Sequence, residues 1–211
     1  MHIAEGVLSP AVLGAGAVLA VAGTALGLRR LEYDRLIGVG ILSAAFFVGS
    51  LIHVPIGLAS AHLVLNGLVG VLLGWAAFPS ILAALLLQAL LFQFGGITVL
   101  GVNTFTMGFA GVLSWYAWRG IRRIVPGTTG LRVAAFCGGA LGVALAAVLT
   151  ALALAFTDEG FQTAAGLLLG AHAPIMVVEG LITMFTVSFI ARVRPEMLHM
   201  THADMPGVAD V

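Results

Sequence analysis

Long apolar stretches follow one another along most of this chain, and short segments with the charged residues separate them. An α-helix needs about 20 mostly apolar residues to cross the hydrocarbon core of a bilayer. By this measure the pattern predicts seven spans, at residues 9–28, 36–53, 62–77, 80–95, 103–118, 130–156 and 174–193. The sequence therefore predicts an all-α integral membrane protein. We expect one transmembrane domain over residues 1–196 and a tail over 197–211.

The composition excludes a soluble domain. Hydrophobic residues make up 61% of the 211 positions and charged residues 9%, so a soluble fold could not cover its apolar surface. Lysine is absent, and a phosphate-binding loop of the Walker type needs one, so the chain should not hydrolyse ATP by itself. Cys137 stands alone, which rules out a disulfide within the chain.

The arginines predict which side of the membrane each end occupies. All nine lie between spans one and two, between spans five and six or at the start of span six, or at the end of span seven and after it, at positions 29, 30, 35, 119, 122, 123, 132, 192 and 194. With seven spans these segments share one side, and basic residues mark the cytoplasmic side. We therefore expect the N-terminus outside and the C-terminus in the cytoplasm. Trp75, Trp115 and Trp118 should anchor the cytoplasmic ends of their spans.

The histidines divide in the opposite way. His2 precedes span one, His53 ends span two, His62 begins span three and His172 lies just before span seven. We expect all four at the outer face. His199 and His202 belong to the cytoplasmic tail and are expected to be ordinary residues of a mobile segment.

The first two residues can form a chelate. The amine of Met1, the backbone nitrogen of His2 and its ring Nδ1 would occupy three corners of a square plane. His62 is the best candidate for the fourth corner. A plane of nitrogens suits Ni(II), Cu(II) or low-spin Co(II) better than Zn(II), which prefers a tetrahedron. The residues alone leave open the alternative that His2 is an incidental polar residue at an exposed terminus.

Four motifs carry a resemblance to one membrane family. MHIAEG, HVPIGLASAHLVLNGLVG, FQFGGITVLGVNTFTMG and AHAPIMVVEGLIT occur in order from Met1 to about Arg194. They resemble the substrate-capture (M, or S) component of cobalt and nickel energy-coupling-factor transporters, the CbiM/NikM family. The resemblance implies ion binding by the Met1 amine, the amide and ring of His2, and His62. Some nickel-type members read SCSHPTGTG where this chain has ASAHLVLNG, so loop conformation and ion preference are not implied.

The resemblance also implies partners and a location. It implies a multi-pass protein of a bacterial or archaeal inner membrane that imports Co(II) or Ni(II). The sequence does not choose between the two ions, and only the link of one branch of the family to vitamin B12 weakly favours cobalt. The chain would be no enzyme, would hold no cofactor and would bind no nucleic acid. A CbiQ/NikQ-like transmembrane T component, a CbiO/NikO-like ATPase and possibly a small CbiN/NikN-like subunit would work with it.

Other polar residues are candidates for supporting roles near the ion. Glu5 could hold the N-terminal loop, orient a ligand, or simply face solvent. Asn66 is expected one turn below His62 on one helix face, and it could tie outer loops together, as could Asn103. His53 and His172 could guide the ion or cap helices.

Glu179 lies inside span seven, where a carboxylate is costly and should face a partner within the bundle. A tie to outer-loop backbone and a role in ion or proton handling both remain open. The chief rival function is an intramembrane enzyme that uses His172 or His62 with Glu179 as acid and base, although no nucleophile motif is present. A passive ion channel is a second rival and lacks repeated carboxylate or carbonyl rings.

Small residues repeat at helical spacing along span one, at Gly16, Ala20, Gly23 and Gly27. They would let another helix approach closely. That helix could belong to this bundle or to a transmembrane partner.

Overall fold

The computed structural model describes residues 2–51, 53–56 and 59–198, with the backbone alone for 53–56 and 59–62. The described chain forms α1 (Pro10–Arg29), α2 (Leu36–Gly49), α3 (Asn66–Leu73), α4 (Ala77–Phe92), α5 (Leu100–Ile124), α6 (Gly127–Ala155) and α7 (Gln162–Val193). An antiparallel hairpin of β1 (His53–Ile56) and β2 (Ala59–His62) joins α2 to α3. Short 3₁₀ turns lie at Tyr33–Arg35, Gly74–Ala76, Glu159–Phe161 and Pro195–Leu198. The fold is helical as predicted, except for this hairpin.

Helix α1 begins where the sequence predicts. The Ser9 hydroxyl accepts a hydrogen bond from the Val12 amide (3.5 Å), and Pro10 opens the helix. The small residues of α1 face the rest of the bundle: a methyl group on Gly16 would overlap Val102 of α5, and one on Gly23 would overlap Phe78 of α4. This stripe therefore packs within the bundle. It is not a docking surface for a partner.

The two longest helices, α6 and α7, form an antiparallel pair. A methyl group on Gly139 of α6 would overlap Thr183, and one on Gly180 of α7 would overlap Phe136. Only residues 156–161 separate the end of α6 from the start of α7, so the chain must reverse direction between two helices that pack along each other. Small residues at such contacts let membrane helices approach closely and gain dispersion energy.

Helix α3 is enclosed by α5 and α6. Residues 66–72 are all buried. Gly67 lies against the backbone of Gly139 in α6, and Gly70 lies against the backbone of Gly111 in α5. With 8 residues α3 is only about 12 Å long, against a hydrocarbon core of about 30 Å. The length predicted for the third span, 62–77, is therefore wrong.

Two further predicted boundaries are wrong. Helix α2 ends at Gly49, and the chain enters the hairpin where the second span was expected to continue to residue 53. Helix α7 begins at Gln162 and contains Pro174, which was expected to open the seventh span. A proline inside a membrane helix is tolerated because neighbouring groups can satisfy the freed backbone carbonyl.

The exposed side chains of the described helices are largely apolar. Val18 of α1, Ile37 of α2 and Phe185 of α7 are 70%, 77% and 67% exposed. Within the described residues, four stretches are long and apolar enough to cross a membrane: Pro10–Arg29, Asn66–Phe92, Gly127–Ala155 and Glu159–Val193. A bundle with such an outer surface fits a lipid environment, where apolar side chains need no cover.

The two ends of the bundle differ in charge. Where α1 ends, the guanidinium of Arg30 lies over the ring of Trp75 (4.9 Å), and that of Arg119 lies over Trp115 (4.7 Å). Together with Arg35 they line a cavity of about 380 Å³. The N-terminal segment and the start of α5 occupy the opposite end. Arginine and tryptophan thus cluster at one end, as the sequence predicts.

Candidate metal centre

The N-terminal segment is folded into the bundle. His2 is 7% exposed and Ile3 is fully buried. Ile3 belongs to a small apolar cluster with Val99, which precedes α5, Val102 of α5 and Leu154 of α6. His2 is therefore not a polar residue on an exposed terminus, and that alternative is wrong.

Asn103 holds this segment from the first turn of α5. The Ile3 amide donates to Asn103 Oδ1 (3.1 Å), and Asn103 Nδ2 donates to the Ile3 carbonyl (3.2 Å). The Asn103 side-chain amide thus makes two hydrogen bonds to the Ile3 backbone, as the backbone of a neighbouring strand would. Because Asn103 is only 2% exposed, water does not compete for these bonds. The residue after His2 is fixed in place by two hydrogen bonds.

Glu5 fastens the same segment to the loop between α4 and α5. Its carboxylate accepts from the amide (3.0 Å) and hydroxyl (3.3 Å) of Thr98, and its own amide donates to the Gly95 carbonyl (3.1 Å). Gly96 has φ +121°, and a methyl group on it would overlap the Glu5 carboxylate. Glu5 is exposed, but its oxygen has a backbone partner. Sequence reasoning missed Thr98, although the adjoining glycine pair marks a tight loop there.

Asn66 begins α3 and bridges two other helices. Its side-chain amide donates to the carbonyls of Gly142 in α6 (3.0 Å) and Met107 in α5 (3.4 Å). The sequence suggested that Asn66 and His62 share a helix face. They do not, because His62 lies at the end of β2. Asn66 ties helices together deep in the bundle and does not join outer loops.

Glu179 of α7 binds the backbone just before α3. Its fully buried carboxylate accepts from the Leu65 amide (2.9 Å to Oε1, 2.8 Å to Oε2) and from the Val64 amide. Leu65 has φ +53°, and no side chain of the segment itself caps α3. Glu179 therefore supplies the anionic cap that this helix start favours. These bonds provide the predicted tie to backbone, and they act directly after the segment that contains His62.

His172 lies inside α7, whereas the sequence placed it just before the seventh span. The side chain is fully buried, and Nδ1 lies 2.7 Å from the Leu168 carbonyl. A carbonyl only accepts, so Nδ1 carries a proton, and in the neutral ring Nε2 presents a lone pair. Nε2 has no hydrogen-bond partner among the described residues.

The other histidines and Met1 are only partly described or lie outside the described residues. His53 and His62 are register partners at the open end of the hairpin. Their side chains, Met1, His199 and His202 lie outside the description. Among the side chains that are described, no group of three His, Cys, Asp or Glu residues could hold a metal ion. The donor set of Met1, His2 and His62 stays a prediction.

The chain is similar along its length to proteins of metal transport. The family described as cobalt uptake substrate-specific transmembrane region, CbiM, matches residues 2–197. A Haemophilus influenzae protein whose name describes metal transport is 41% identical over 202 residues, which cover 95% of this chain and 98% of that protein. The fused nickel transport protein NikMN of Rhodobacter capsulatus is 32% identical over 222 residues, which cover 94% of this chain and 64% of that protein. The crystal structure of a truncated transition metal transporter has a TM-score of 0.75 at 28% identity and covers 92% of this chain and 99% of that chain.

Proposed function

Because this chain belongs to the CbiM family of cobalt-uptake transmembrane proteins, we propose that it captures Co(II) or Ni(II) at the N-terminal end of its bundle. It is a multi-pass membrane protein of metal transport. The observation that carries the site is the burial of His2 in a segment that Asn103 and Glu5 hold from two sides. A terminus that only faced water would not need these bonds.

The proposed ligands are the Met1 amine, the amide nitrogen and Nδ1 of His2, and a ring nitrogen of His62. The geometry around them favours this set. Glu179 fixes the backbone at Val64 and Leu65, so His62 is attached to a segment with a defined path. Four nitrogens in a plane favour Co(II) and Ni(II) over Zn(II) through coordination geometry, whereas Cu(II) would bind more tightly than either.

We propose seven passes through the membrane, with the N-terminus outside. Helix α3 would contribute only half a pass, and the hairpin and residues 63–65 would fill the other half from the outer side. Irregular backbone at membrane depth is tolerated where protein surrounds it. In support of this, Glu179 accepts hydrogen bonds from the backbone amides of Val64 and Leu65.

Transport would require partner subunits. The sequence contains no lysine for a phosphate-binding loop, so we propose that a CbiO/NikO-like ATPase drives release through a CbiQ/NikQ-like T component, with a small CbiN/NikN-like subunit in some assemblies. The rival intramembrane enzyme is not favoured. Both oxygens of Glu179 accept backbone hydrogen bonds, so this carboxylate holds the backbone of residues 64 and 65 in place.

Metal content tests the proposal directly. The chain is purified with its native N-terminus in detergent, stripped with chelator and titrated with Co(II), Ni(II) and Zn(II) by calorimetry. We expect about one tightly held Co(II) or Ni(II) per chain and much weaker Zn(II). Equal affinity for Zn(II), or no binding by any of the three ions, would contradict the proposed site.

A further inference from the structure

We propose that the cavity at the arginine-rich end of the bundle binds the phosphate of an anionic phospholipid headgroup. The inference goes beyond ion capture and concerns the end opposite the N-terminal segment. Three arginines line this cavity together with all three tryptophans of the chain: Arg30, Arg35, Arg119, Trp75, Trp115 and Trp118. The cavity volume of about 380 Å³ is within the range of sites that hold small molecules.

The charge around the cavity favours an anion. Arg35 forms an ion pair with Glu32 (2.9 Å). Among the described residues, no carboxylate lies within ion-pair distance of Arg30 or Arg119. The end of α3 also lines the cavity and contributes about half a negative charge, which two guanidinium groups outweigh. Because guanidinium groups bind phosphate oxygens through paired N–H donors, these two suit a phosphate group.

Connected aromatic side chains hold both of these arginines. The guanidinium of Arg30 lies 4.9 Å from the ring centre of Trp75. That of Arg119 lies 4.7 Å from the ring centre of Trp115. The Trp75 indole N–H donates to the Tyr116 hydroxyl (3.1 Å), and the rings of Tyr116 and Trp115 pack edge to face with centres 4.7 Å apart. Both cations are therefore held beside one cavity before a ligand binds, which lowers the entropy cost of binding.

Trp118 supplies a further donor at the same cavity. It lines the cavity and is only 7% exposed, and its indole N–H has no hydrogen-bond partner among the described residues. A buried tryptophan N–H usually finds a partner, because an unpaired donor costs free energy. The N–H of Trp75, by contrast, already donates to Tyr116. A phosphate oxygen in the cavity would accept from Trp118 and neutralise the two guanidinium groups at once.

The location favours a lipid headgroup over free phosphate. Arg30 directly follows α1, whose 20 residues are about 30 Å long and match the thickness of the hydrocarbon core. Its guanidinium therefore lies at the depth of the lipid phosphates, where tryptophan and tyrosine are also enriched. Leu26 and Leu28 at the end of α1 are exposed, so the acyl chains of the same lipid can lie along this helix. Basic pockets between membrane helices bind the headgroups of anionic lipids in this way.

Native mass spectrometry of the full chain in detergent tests the site, with phosphatidylglycerol and phosphatidylcholine as probes. Both lipids carry a phosphate, but the arginines would repel the choline cation of the second. We expect one tightly retained phosphatidylglycerol per chain, bound about tenfold more tightly than phosphatidylcholine. Inorganic phosphate in large excess should leave this lipid bound.

The double variant Arg30→Gln with Arg119→Gln should lose the preference for phosphatidylglycerol, a change of about tenfold. Arg123→Gln with Arg192→Gln is the matched control and should keep the preference. It removes the same charge from the same end of the bundle, and neither residue lines the cavity.

Trp118→Phe removes the indole N–H and keeps an aromatic ring, so the affinity for phosphatidylglycerol should fall about tenfold. Thermal unfolding checks that each variant folds. If a variant does not fold, tryptophan fluorescence of the wild type still decides, because all three tryptophans line this cavity. Brominated phosphatidylcholine quenches them, and exchange for phosphatidylglycerol should relieve the quenching more than exchange for unbrominated phosphatidylcholine.

The outcomes that overturn the proposal are distinct. Equal retention of the two lipids by the wild type removes the preference for an anionic headgroup. Retention of phosphatidylglycerol by the Arg30 and Arg119 variant would place the lipid elsewhere, and an equal loss in the control would show a general effect of charge. Displacement by inorganic phosphate would make the cavity a site for free phosphate. None of these measurements uses Co(II) or Ni(II), so failure here leaves the proposed function standing.

Discussion

The carboxylate of Glu179 in α7 accepts hydrogen bonds from the backbone amide of Leu65, a residue 114 positions earlier in the chain. This bond joins the last long helix to the segment between the hairpin and α3. Because His62 ends the hairpin directly before this segment, the position of one proposed ligand depends on a side chain that is not itself a proposed ligand.

Glu179→Gln should weaken Co(II) binding about 10- to 100-fold. The glutamine amide has one acceptor oxygen, and its NH₂ group would face a backbone N–H, so a buried donor loses its partner at a cost of about 1–3 kcal/mol. Calorimetric titration measures the change. Gln88→Met is the matched control, because Gln88 is a buried polar residue that binds Phe47 and Ser50 between α2 and α4. If both variants lose Co(II) to the same degree, the effect of Glu179 is one of general stability.

Asn103→Leu should release the N-terminal segment. The substitution removes both bonds to Ile3 while it keeps a side chain of similar size, so the Ile3 amide should exchange its hydrogen faster. We expect Co(II) affinity to fall at least tenfold. Glu5→Gln should have a smaller effect, since the glutamine carbonyl can still accept from Thr98 at this exposed site. Unchanged exchange at Ile3 would show that the apolar cluster alone holds the segment.

One extra residue before Met1 should abolish tight binding of Co(II) and Ni(II). The amine becomes an amide nitrogen, which is a poor donor, and His2 moves to the third position. The bundle should keep its thermal stability, because α1 begins only at Pro10. Mass spectrometry must confirm the extension, and full affinity in the extended chain would remove the amine from the ligand set.

His62→Ala should also abolish tight binding, since three donors leave the plane incomplete. His199→Ala and His202→Ala form the matched pair of controls and should bind Co(II) as the wild type does. Loss of the ion in the tail variants but not in His62→Ala would place the site at the other end of the protein.

Cysteine labelling in intact cells tests the orientation. In a Cys137→Ser background, Glu159→Cys lies in the exposed turn between α6 and α7, and Arg123→Cys lies in the exposed last turn of α5. We expect a membrane-impermeant maleimide to label Glu159→Cys at once and Arg123→Cys only after the membrane is opened. The reverse pattern would invert the orientation.

Hydropathy and the arginine pattern predicted the helical class, the start of α1 and the clustering of Arg30, Trp75 and Arg119 at one end. These features follow from local composition, which a sequence displays directly. The N-terminal chelate was proposed from chemistry at adjacent positions, and the burial of His2 supports it.

The features that the sequence did not predict depend on contacts between residues far apart in the chain. The contact of Glu179 with Leu65 and the left-handed conformation of Leu65 depend on long-range packing that leaves no periodic signal. The seventh span was expected to begin at residue 174, yet Pro174 lies within α7. As a result, His172 was placed just before a helix, whereas it lies within α7 and is buried in the bundle.

The backbone contacts of α3 limit where this protein can change. Gly67 and Gly70 meet Gly139 and Gly111 with no room for even a methyl group, so α3 tolerates no larger residue at its two closest contacts. On the His62 side of the proposed site, an altered ion preference would therefore arise in the hairpin or in residues 63–65 and not in α3. The close backbone contacts of α3 restrict substitutions there, whereas the hairpin and residues 63–65 make no such contacts through α3 and can vary more freely.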